Sequence, residues 1–316
     1  MELKDSILSE LMTSEFVSGE NMAKKYFVSR NGIWKAVKKL REEGWDIEAV
    51  SNKGYCLKEK INKISEGAIK TRLNSQWEFT ILKETDSTNN YAKEQASQNN
   101  SLKQAVIAEK QTQGRGRMGR AFYSPDGNGL YMSAIIRMKT DISLSPLITS
   151  YTAVAVANAV ERLSGQETYI KWVNDIYMNG KKLCGILTEA VFDMEGGSID
   201  YVVIGIGVNV LGTDFPMEID AVATSIERET GKKLSRNDLA AEILNELDNI
   251  ESGIKSREYM KIYRDKSNVL GKKIKVIYGE QVYDAVAIGI NDDAALVADT
   301  ENGIKIFNSG EVSIKL

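Results

Sequence analysis

The 316-residue sequence contains no histidine, and it has only two cysteines and three prolines. The absence of histidine excludes Ser–His and Cys–His nucleophilic catalysis and imidazole metal sites. Cys56 and Cys184 lie far apart without a Cys-x-x-Cys pair, which fits a reducing compartment. Any chemistry must therefore rest on lysine, arginine, carboxylates, backbone dipoles or a phosphate-bound metal.

Long apolar runs and a strong charge imbalance are also missing. The longest apolar run, about Tyr201 to Leu211, is too short to span a bilayer, and the N-terminus shows no apolar signal region. We therefore expect a cytoplasmic protein without membrane association. The formal net charge of −3 means that any contact with nucleic acid requires a local basic patch.

Glycines and arginines alternate between Gln111 and Arg120, with no acidic residue among them. Glycine lets a backbone approach a ligand closely, and the arginine fork suits carboxylates and phosphates. Predicted strands over 104–110 and 130–136 flank this segment. The pattern favours an anion-binding loop, and it leaves open a nucleic-acid patch or a solvated hairpin.

The same segment does not form a P-loop. Gly114 and Gly119 have the required spacing, but Arg120 replaces the lysine and Ala121 lacks the hydroxyl that holds magnesium.

A dinucleotide-binding fingerprint is likewise incomplete. Gly205 and Gly207 follow a predicted strand, but a third glycine is missing and the segment 211–216 cannot open the required helix. We interpret the two glycines as leaving room for a ligand against the sheet.

The first 60 residues have the pattern of a winged helix-turn-helix. The predicted helices cover 3–11, 18–26 and 30–40, and the strands of the wing cover 45–49 and 55–57. Ser29 is placed to cap the third helix. A polar linker is expected over 58–68.

Seven lysines and arginines and no acidic residue lie between Lys24 and Arg41. Such a face can replace the counterions of phosphates while a recognition helix enters the major groove. The pattern favours DNA binding, and the alternative is a helical docking module with a solvated basic face.

The middle of the chain alternates strands and helices. Strands are predicted over 79–82, 104–110, 130–136, 169–173, 183–192 and 201–208, and helices after Ser87 or Thr88 and over 146–163, 222–229, 236–252 and 256–266. Several connections are too short for parallel crossovers, so we expect an α/β body with a mixed or antiparallel sheet.

The tail is predicted to contain strands and turns. Its strands cover 272–278, 281–290, 295–299, 304–307 and 312–315, and Asn302-Gly303 is typical of a hairpin. This pattern indicates a small SH3-like β-barrel.

Polar residues gather where a strand ends, at Asn174 and Asp175, and Lys182 opens the next strand beside Gly185. A lysine at a strand mouth can place its ammonium on a phosphate or carboxylate. Asn174, Asp175 and the following Asn179-Gly180 are equally typical of a hairpin.

Together, six motifs resemble one family, the biotin–protein ligases in the bifunctional form that is also a biotin-operon repressor. The motifs are Thr85-Asp-Ser-Thr-Asn89, Gln111 to Arg120, Ser124-Pro125, Lys171-Trp-Val-Asn-Asp175, Lys182 to Leu187 and Gly205 to Asn209. They occur in the family's order, between a winged helix and a small barrel, and the resemblance covers nearly the whole chain.

The resemblance implies three domains: a winged helix-turn-helix DNA-binding domain at 1–62, a catalytic biotin- and ATP-binding domain at 63–267 and an SH3-like domain at 268–316. It also implies ATP-dependent formation of biotinyl-5′-AMP and transfer of biotin to a lysine of a biotin carboxyl carrier protein. The family's repressors bind operator DNA, and a homodimer is expected when biotinyl-AMP is bound. ATP, biotin and Mg²⁺ are the implied ligands.

The resemblance also assigns site residues by position. Biotin contacts would fall on Ser87, Thr88, Asn89, Gln111, Arg115, Gly116, Arg117, Lys182 and Gly185. ATP contacts would fall on Arg117, Arg120, Phe122, Asn174, Asp175 and Asn209. DNA contacts would fall on Ser29, Arg30, Asn31, Trp34, Lys35 and Lys38. Catalysis would rest on Lys182, Arg115 and Arg117, and Asp175 would contact magnesium held mainly by phosphate.

These residue types suit the implied reaction. Activating a carboxylate with ATP brings two anions together, so the site must supply cations beforehand. The acceptor lysine belongs to another protein, so the missing histidines are no obstacle. Two other functions remain open from the sequence: a lipoate–protein ligase, and a non-enzymatic transcription factor that senses a small molecule.

The sequence departs from the family pattern at three positions. Val173 stands where proline is usual, Met118 where a basic residue is common, and Phe122 where the family often has tryptophan. Phe122 keeps an aromatic face, so we expect stacking against adenine to survive.

Overall fold

The computed structural model describes residues 3–42, 45, 47–57, 63–141, 144–192 and 199–314. The chain divides into two compact units. Unit 1 comprises residues 1–73 with 235–241, and unit 2 comprises residues 74–234 and 242–316. The expected domain boundaries at 62/63 and 267/268 stay predictions.

Unit 1 contains the predicted helix-turn-helix and its wing. Its elements are α1 (Leu3–Thr13), α2 (Gly19–Lys25), α3 (Arg30–Glu42), β1 (Ile47–Val50), β2 (Gly54–Leu57) and α4 (Glu66–Lys70). The strands β1 and β2 form an antiparallel hairpin. Apolar side chains at helical spacing on α1 and α3 make one buried core, namely Ile7, Leu8, Leu11, Ile33, Val37 and Leu40. The three predicted helices and the wing are confirmed, although β1 begins at Ile47 and Asp46 lies outside the described residues.

The polar segment after the wing is partly built into unit 1. Residues 58–62 of the expected linker lie outside the described residues. The backbone N–H of Ser65 donates to Oδ1 of Asn237 at 2.9 Å, and the Asn237 amide donates to the carbonyl of Lys63 at 2.8 Å. The short helix α4 then follows. The prediction of a linker through residue 68 was therefore wrong for its last part, where both backbone and side-chain groups are hydrogen-bonded.

Unit 2 is built around a seven-stranded mixed sheet. Its strands are β3 (Glu78–Thr85), β4 (Lys103–Gln111), β5 (Gly129–Thr140), β6 (Tyr169–Lys171), β7 (Asp175–Met178), β8 (Lys181–Phe192) and β9 (Ile199–Asn209). Their order is β3-β4-β5-β9-β8-β7-β6, with β3 and β4 parallel and the other neighbours antiparallel. The predicted mixed sheet is confirmed, because hairpin-length connections allow antiparallel pairing.

Unit 2 also contains several helices. They are α5 (Thr88–Gln98), α6 (Ser145–Ser164), α7 (Met217–Asp220), α8 (Ile226–Thr230), α9 (Arg236–Leu247), α10 (Ile250–Ser256) and α11 (Tyr259–Asp265), and the first turns of α9 group with unit 1. In α6, Pro146 stands in the first turn and Gly165 closes the helix at φ 75°. Most of its alanines and valines are buried, as expected for a central helix.

Three details of the predicted secondary structure were wrong. The strand β7 was not predicted, and the single helix expected over 236–252 is two helices, α9 and α10. The helix expected over 222–229 begins at Ile226. Its predicted start is taken by an extended segment, in which Val222 and Thr224 exchange backbone hydrogen bonds with Lys182 at 2.8 and 2.9 Å.

The C-terminal part of unit 2 is a five-stranded antiparallel sheet. Its strands are β10 (Lys273–Tyr278), β11 (Gln281–Ile290), β12 (Leu296–Thr300), β13 (Gly303–Phe307) and β14 (Glu311–Ile314), in the order β13-β12-β11-β10-β14. Thr300 pairs with Gly303 across the predicted Asn302-Gly303 hairpin. All five predicted strands are confirmed.

Candidate active site and nucleic-acid surface

A pocket in unit 2 is lined by the start of α5, the end of β4, the segment after β4 and residues of β6 to β9. It brings together nearly all the ligand-contact residues predicted from the sequence. These are Ser87, Thr88, Asn89, Gln111, Arg115, Gly116, Arg117, Arg120, Phe122, Asn174, Asp175, Lys182 and Gly185.

One end of the pocket is a fixed array of amide and hydroxyl groups. Oε1 of Gln111 accepts hydrogen bonds from the backbone N–H and the hydroxyl of Thr88, at 2.9 and 3.1 Å. The amide nitrogen of Gln111 donates to the hydroxyl of Ser124 at 3.0 Å. The Ser133 hydroxyl lies 2.8 Å from that of Thr88. Because both ends of the Gln111 amide are engaged, its orientation is set before a ligand arrives.

Asn89 is held by its neighbours. Its amide nitrogen donates to Glu189 at 2.8 Å, and Lys93 pairs with the same carboxylate at 2.8 Å. Burial pushes the pKa of Glu189 upward, but hydrogen bonds from Lys93 and Asn89 outweigh it and hold the pKa below its usual value. A Cβ on Gly205 would lie 2.3 Å from Oδ1 of Asn89. Gly205 is therefore required by Asn89 as well as lining the pocket, and our interpretation that it leaves space for a ligand stays a prediction.

The second sheet glycine, Gly207, makes room for an aromatic ring. A Cβ there would lie 2.6 Å from the ring of Phe122, and one on Gly185 would lie 3.5 Å from it. Tyr131 meets Phe122 edge to face, with ring centroids 6.5 Å apart. The ring thus rests on bare backbone of β8 and β9 and forms part of the pocket wall.

The other end of the pocket carries positive charge. Nζ of Lys182 lies 2.8 Å from Oδ1 of Asp175, and Arg117 donates to Oδ1 of Asn174 at 3.2 Å. The Asn174 amide in turn donates to the carbonyl of Ile186 at 2.7 Å. The β7–β8 hairpin sets this geometry, since it pairs Asp175 with Gly185.

The remaining two arginines of the glycine-rich segment are also engaged. Arg115 donates to Oδ1 of Asn90, whose amide donates to Asp86 at 2.6 Å. The hydrogen bond from Asn90 helps to hold the pKa of Asp86 below its usual value. Arg120 forms an ion pair with Glu311 of β14. Both arginines therefore have protein partners, and of these partners Glu311 lines the pocket.

The glycine-rich segment has backbone hydrogen bonds of its own. The N–H of Gly116 donates to the carbonyl of Arg120 at 2.7 Å, and the N–H of Phe122 donates to that of Gly114 at 2.8 Å. Met118 and Gly119 take left-handed φ values of 55° and 72° at the turn. The segment is therefore a tight turn held by its own backbone hydrogen bonds.

Sequence analysis missed two charged residues of the pocket, Lys171 and Glu311. Burial lowers the pKa of Lys171, and the nearby carboxylate of Asp175 opposes part of that shift. Lys171 belongs to the motif Lys171–Asp175, but the sequence predicts no role for its side chain. Glu311 belongs to the C-terminal sheet, and no sequence pattern connected it with Arg120.

Asn209, by contrast, was predicted to contact ATP but does not line the pocket. Its amide donates to the carbonyl of Thr224 at 3.0 Å, so it holds the segment that runs beside Lys182. A direct contact between Asn209 and ATP stays a prediction.

The predicted DNA-contact residues of unit 1 are all exposed: Ser29, Arg30, Asn31, Trp34, Lys35 and Lys38. The hydroxyl of Ser29 accepts from the N–H of Gly32 at 3.1 Å, which confirms its predicted role as the cap of α3.

Two lysines of the basic segment are engaged with glutamates. Lys24 pairs with Glu20 at 2.9 Å, and Lys25 pairs with Glu10. The lysine lowers the pKa of Glu20 by its hydrogen bond and its charge. The basic face is therefore concentrated on α3 itself.

No group of three or more cysteine, aspartate or glutamate side chains is arranged to hold a metal ion in residues 3–314 outside the undescribed gaps. Within the same residues, no helix has the length and apolar character needed to cross a membrane.

Family models match three parts of the chain. Residues 81–209 match the biotin/lipoate A/B protein ligase family, residues 4–56 an HTH domain and residues 269–315 the biotin protein ligase C-terminal domain.

Similar proteins cover almost the whole sequence. The bifunctional ligase/repressor BirA of Bacillus subtilis is 35% identical over 95% of this chain and 94% of its own length. The Escherichia coli protein of the same name is 29% identical over 98% of this chain and 96% of its own length. The structure of a biotin protein ligase from Aquifex aeolicus in complex with biotin and ATP is 30% identical. It aligns with a TM-score of 0.64 over 75% of this chain and 98% of that one.

Proposed function

This chain belongs to the biotin–protein ligase family in its bifunctional ligase/repressor form, and we propose that it activates biotin with ATP and represses transcription. Biotin is converted to biotinyl-5′-AMP and then joined to a lysine of a biotin carboxyl carrier protein. Unit 1 binds operator DNA in response to biotin.

One observation carries the catalytic half of this proposal: a single pocket joins an oriented amide array to a cluster of cations. The array around Gln111 and Thr88 suits the polar ring atoms of biotin. The cations Lys182 and Arg117 suit a carboxylate beside a phosphate. The Phe122 ring on its glycine floor suits an adenine face.

In the first step, an oxygen of the biotin carboxylate attacks the α-phosphorus of ATP. A C–O–P anhydride forms, the bond between the α-phosphorus and its bridging oxygen breaks, and pyrophosphate leaves with the electron pair. Both reactants are anions, so their approach is costly unless the site already holds positive charge. Lys182, Arg115 and Arg117 supply this charge, and their present partners keep them in position.

In the second step, the neutral amine of the acceptor lysine attacks the acyl carbon of the adenylate. An amide forms, the acyl–oxygen bond breaks, AMP departs with the electron pair, and the amine loses a proton to solvent. The anhydride is prone to hydrolysis, so the turn 114–120 serves by covering the pocket until the acceptor arrives.

Magnesium fits this pocket as a phosphate-bound ion. Mg²⁺ is commonly held by one or two carboxylates together with substrate phosphates and water. Asp175, the pocket carboxylate that pairs with Lys182, would hold the ion, which would neutralise phosphate charge. Lys182, which pairs with Asp175 in this structure, would bind the carboxylate or phosphate of the substrates.

The repressor half of the proposal rests on α3 and requires two copies of the chain. One helix-turn-helix reads one half-site, and a dimer engages two. We propose that biotinyl-AMP promotes the homodimer, so that DNA binding reports biotin supply. A cytoplasmic location, and closure of the five-stranded sheet as a small SH3-like barrel, are further parts of the proposal.

The test is incubation with biotin, ATP and magnesium, followed by pyrophosphate release and intact mass of a biotin carboxyl carrier domain. We expect pyrophosphate without the carrier, and a carrier heavier by one biotinyl group when it is present. Lipoate in place of biotin separates the two ligase classes. Pyrophosphate release with lipoate alone would identify a lipoate ligase, and release with neither acid would leave a ligand-sensing regulator.

A further inference from the structure

Unit 1 has few large apolar side chains on its surface. Among its described residues, the exposed large apolar side chains are those of Phe27 and Trp34, which have 96% and 48% of their surface accessible to solvent. Both fall within the basic segment between Lys24 and Arg41, and one lies in the turn while the other lies on α3. Single exposed apolar residues are normal on a protein surface, but these two rings are each held in a specific way.

Phe27 occupies a backbone position that normally belongs to glycine. The N–H of Val28 donates to the carbonyl oxygen of Ala23 at 3.0 Å, and the N–H of Phe27 donates to the carbonyl oxygen of Lys24 at 3.4 Å. These two hydrogen bonds form the Schellman motif at the C-terminus of α2. The residue with left-handed backbone angles in this motif, here Phe27, is usually glycine. Phe27 takes φ 54° there, where a side chain is strained. A strained, fully exposed ring is a feature that persists where function requires it.

Trp34 stands on the outward face of α3. Its neighbours at helical spacing are Arg30, Asn31 and Lys38, and Nζ of Lys38 lies 5.8 Å from the centre of its ring. The opposite face of the helix, with Ile33 and Val37, is buried in the core. The indole therefore projects from the surface that carries the positive charges of the helix.

We propose that Phe27 and Trp34 read the 5-methyl groups of thymine in the major groove, while the lysines and arginines bind phosphate. A recognition helix enters the major groove through its first turns, and the turn before it lies beside the duplex. Thymine offers an apolar methyl there, which phenylalanine is known to contact. This inference rests on the proposed DNA binding, and it further identifies thymine as a base that unit 1 recognises.

The two kinds of side chain have separable effects. Lysine and arginine contacts to phosphate depend on salt and carry no sequence information. Contacts to a methyl group depend on sequence and hardly on salt. Removing one methyl from a contacted thymine should weaken binding about fourfold, the effect of exposing one methyl-sized group.

The experiment uses the full chain with biotin, ATP and magnesium, first to select binding sites from a random duplex pool. Each thymine of the selected site is then replaced by deoxyuridine, which removes the methyl and keeps the base pair. With the wild-type protein we expect losses of about fourfold at thymines in each half-site. Unchanged affinity for every uracil duplex would overturn the inference and leave DNA binding intact. Failure to enrich any site would overturn both.

Variants then assign the methyl groups to the rings. Phe27→Gly relieves the backbone and keeps the turn, and Trp34→Ala introduces a better helix former, so both should retain the circular dichroism of the wild type. Each should abolish the thymine-to-uracil difference at its own positions. Lys35→Ala is the control: it should weaken binding to both duplexes alike and lower the salt slope by about one. An unchanged thymine preference in both ring variants would refute the assignment.

Discussion

Nζ of Lys182 lies 2.8 Å from Oδ1 of Asp175, across the hairpin of β7 and β8. The two side chains are 35% and 22% exposed, so water screens the pair only in part. Asp175 therefore neutralises the ammonium group of Lys182, whose positive charge the proposed reaction needs. For catalysis to begin, a carboxylate or phosphate of the ligand must replace Asp175 as the partner of Lys182.

Replacing that lysine gives the first prediction. Lys182→Ala should slow adenylate synthesis roughly 100- to 1000-fold, a loss of about 3–4 kcal/mol of transition-state stabilisation. Pyrophosphate release in single-turnover experiments measures it. Lys181→Ala is the matched control, because Lys181 is the adjacent residue of β8 and donates to the carbonyl of Asp220 at 3.1 Å. A wild-type rate in Lys182→Ala would remove this residue from the mechanism.

The glycine floor under Phe122 gives the second prediction. A Cβ at Gly207 would lie 2.6 Å from that ring, so Gly207→Ala should displace the ring and raise the KM for ATP by about tenfold, equivalent to ~1.4 kcal/mol. Phe122→Ala should also raise it. In the double variant the added methyl meets no ring, so the two effects should be much less than additive. Full additivity in steady-state kinetics would show that the two residues act separately.

The third prediction concerns the partly buried charge of Lys171. Its pKa is lowered by burial from an ordinary value of 10.5. A base with a lowered pKa destabilises the fold while it is protonated, and this penalty fades as pH rises through the lowered pKa toward 10.5. Lys171→Met should therefore raise the free energy of unfolding at pH 7, by an amount that shrinks toward pH 10. Urea unfolding across this range tests the trend, with the exposed Lys273→Met as the matched lysine-to-methionine control. A less stable Lys171→Met at pH 7 contradicts it.

The fourth prediction is that residues 111–123 are protected by ligand. Three glycines and three neighbouring positive charges favour opening of the turn, although it has hydrogen bonds of its own. Trypsin should cut after Arg115, Arg117 or Arg120 in the ligand-free protein and not after addition of biotin and ATP. The identified cleavage sites in mass spectra decide the matter, and equal cleavage in both states speaks against closure.

The fifth prediction links ligand to assembly. If biotinyl-AMP promotes the homodimer, dimerisation must tighten adenylate binding by the same factor. Sedimentation and operator gel shifts, with and without biotin plus ATP, should show dimer fraction and DNA affinity rising together. If neither the dimer fraction nor the DNA affinity changes on addition of biotin and ATP, DNA binding by the winged helix does not respond to biotin.

Local patterns predicted most of the fold because hydrophobic period and turn residues act over a few positions. The helices of unit 1 and the five strands of the C-terminal sheet follow from such signals. Strand β7 did not, because its four residues lie between Asn174 and Asn179-Gly180, which favour turns.

The break between α9 and α10 depends on tertiary contacts. Asp248 follows the last residue of α9, and its carboxylate accepts from the indole of Trp77 at 3.0 Å and from Lys103 at 2.7 Å. Both partners lie more than 140 residues away in sequence. No proline or glycine marks the position, so helical periodicity alone predicted a continuous helix.

In the pocket, too, local patterns predicted some residues and tertiary contacts determine the others. Residues within recognisable motifs, such as Gln111 and Lys182, could be predicted from the sequence. Glu311 could not, because its relation to Arg120 spans 191 residues and arises only when β14 pairs with β10. Asn209 belongs to a motif, yet its side chain turns to Thr224.

Every arginine of the turn 114–120 and the lysine beside it already has a protein partner. The pairs are Arg115 with Asn90, Arg117 with Asn174, Arg120 with Glu311 and Lys182 with Asp175. A chloride or free phosphate ion meets one or two of these groups and gains little by displacing their partners. In the proposed reaction, a nucleotide lying beside a carboxylate would contact all four groups at once. The arrangement would then favour the two substrates over the small anions of a cell, because only the substrates offer several negatively charged groups together.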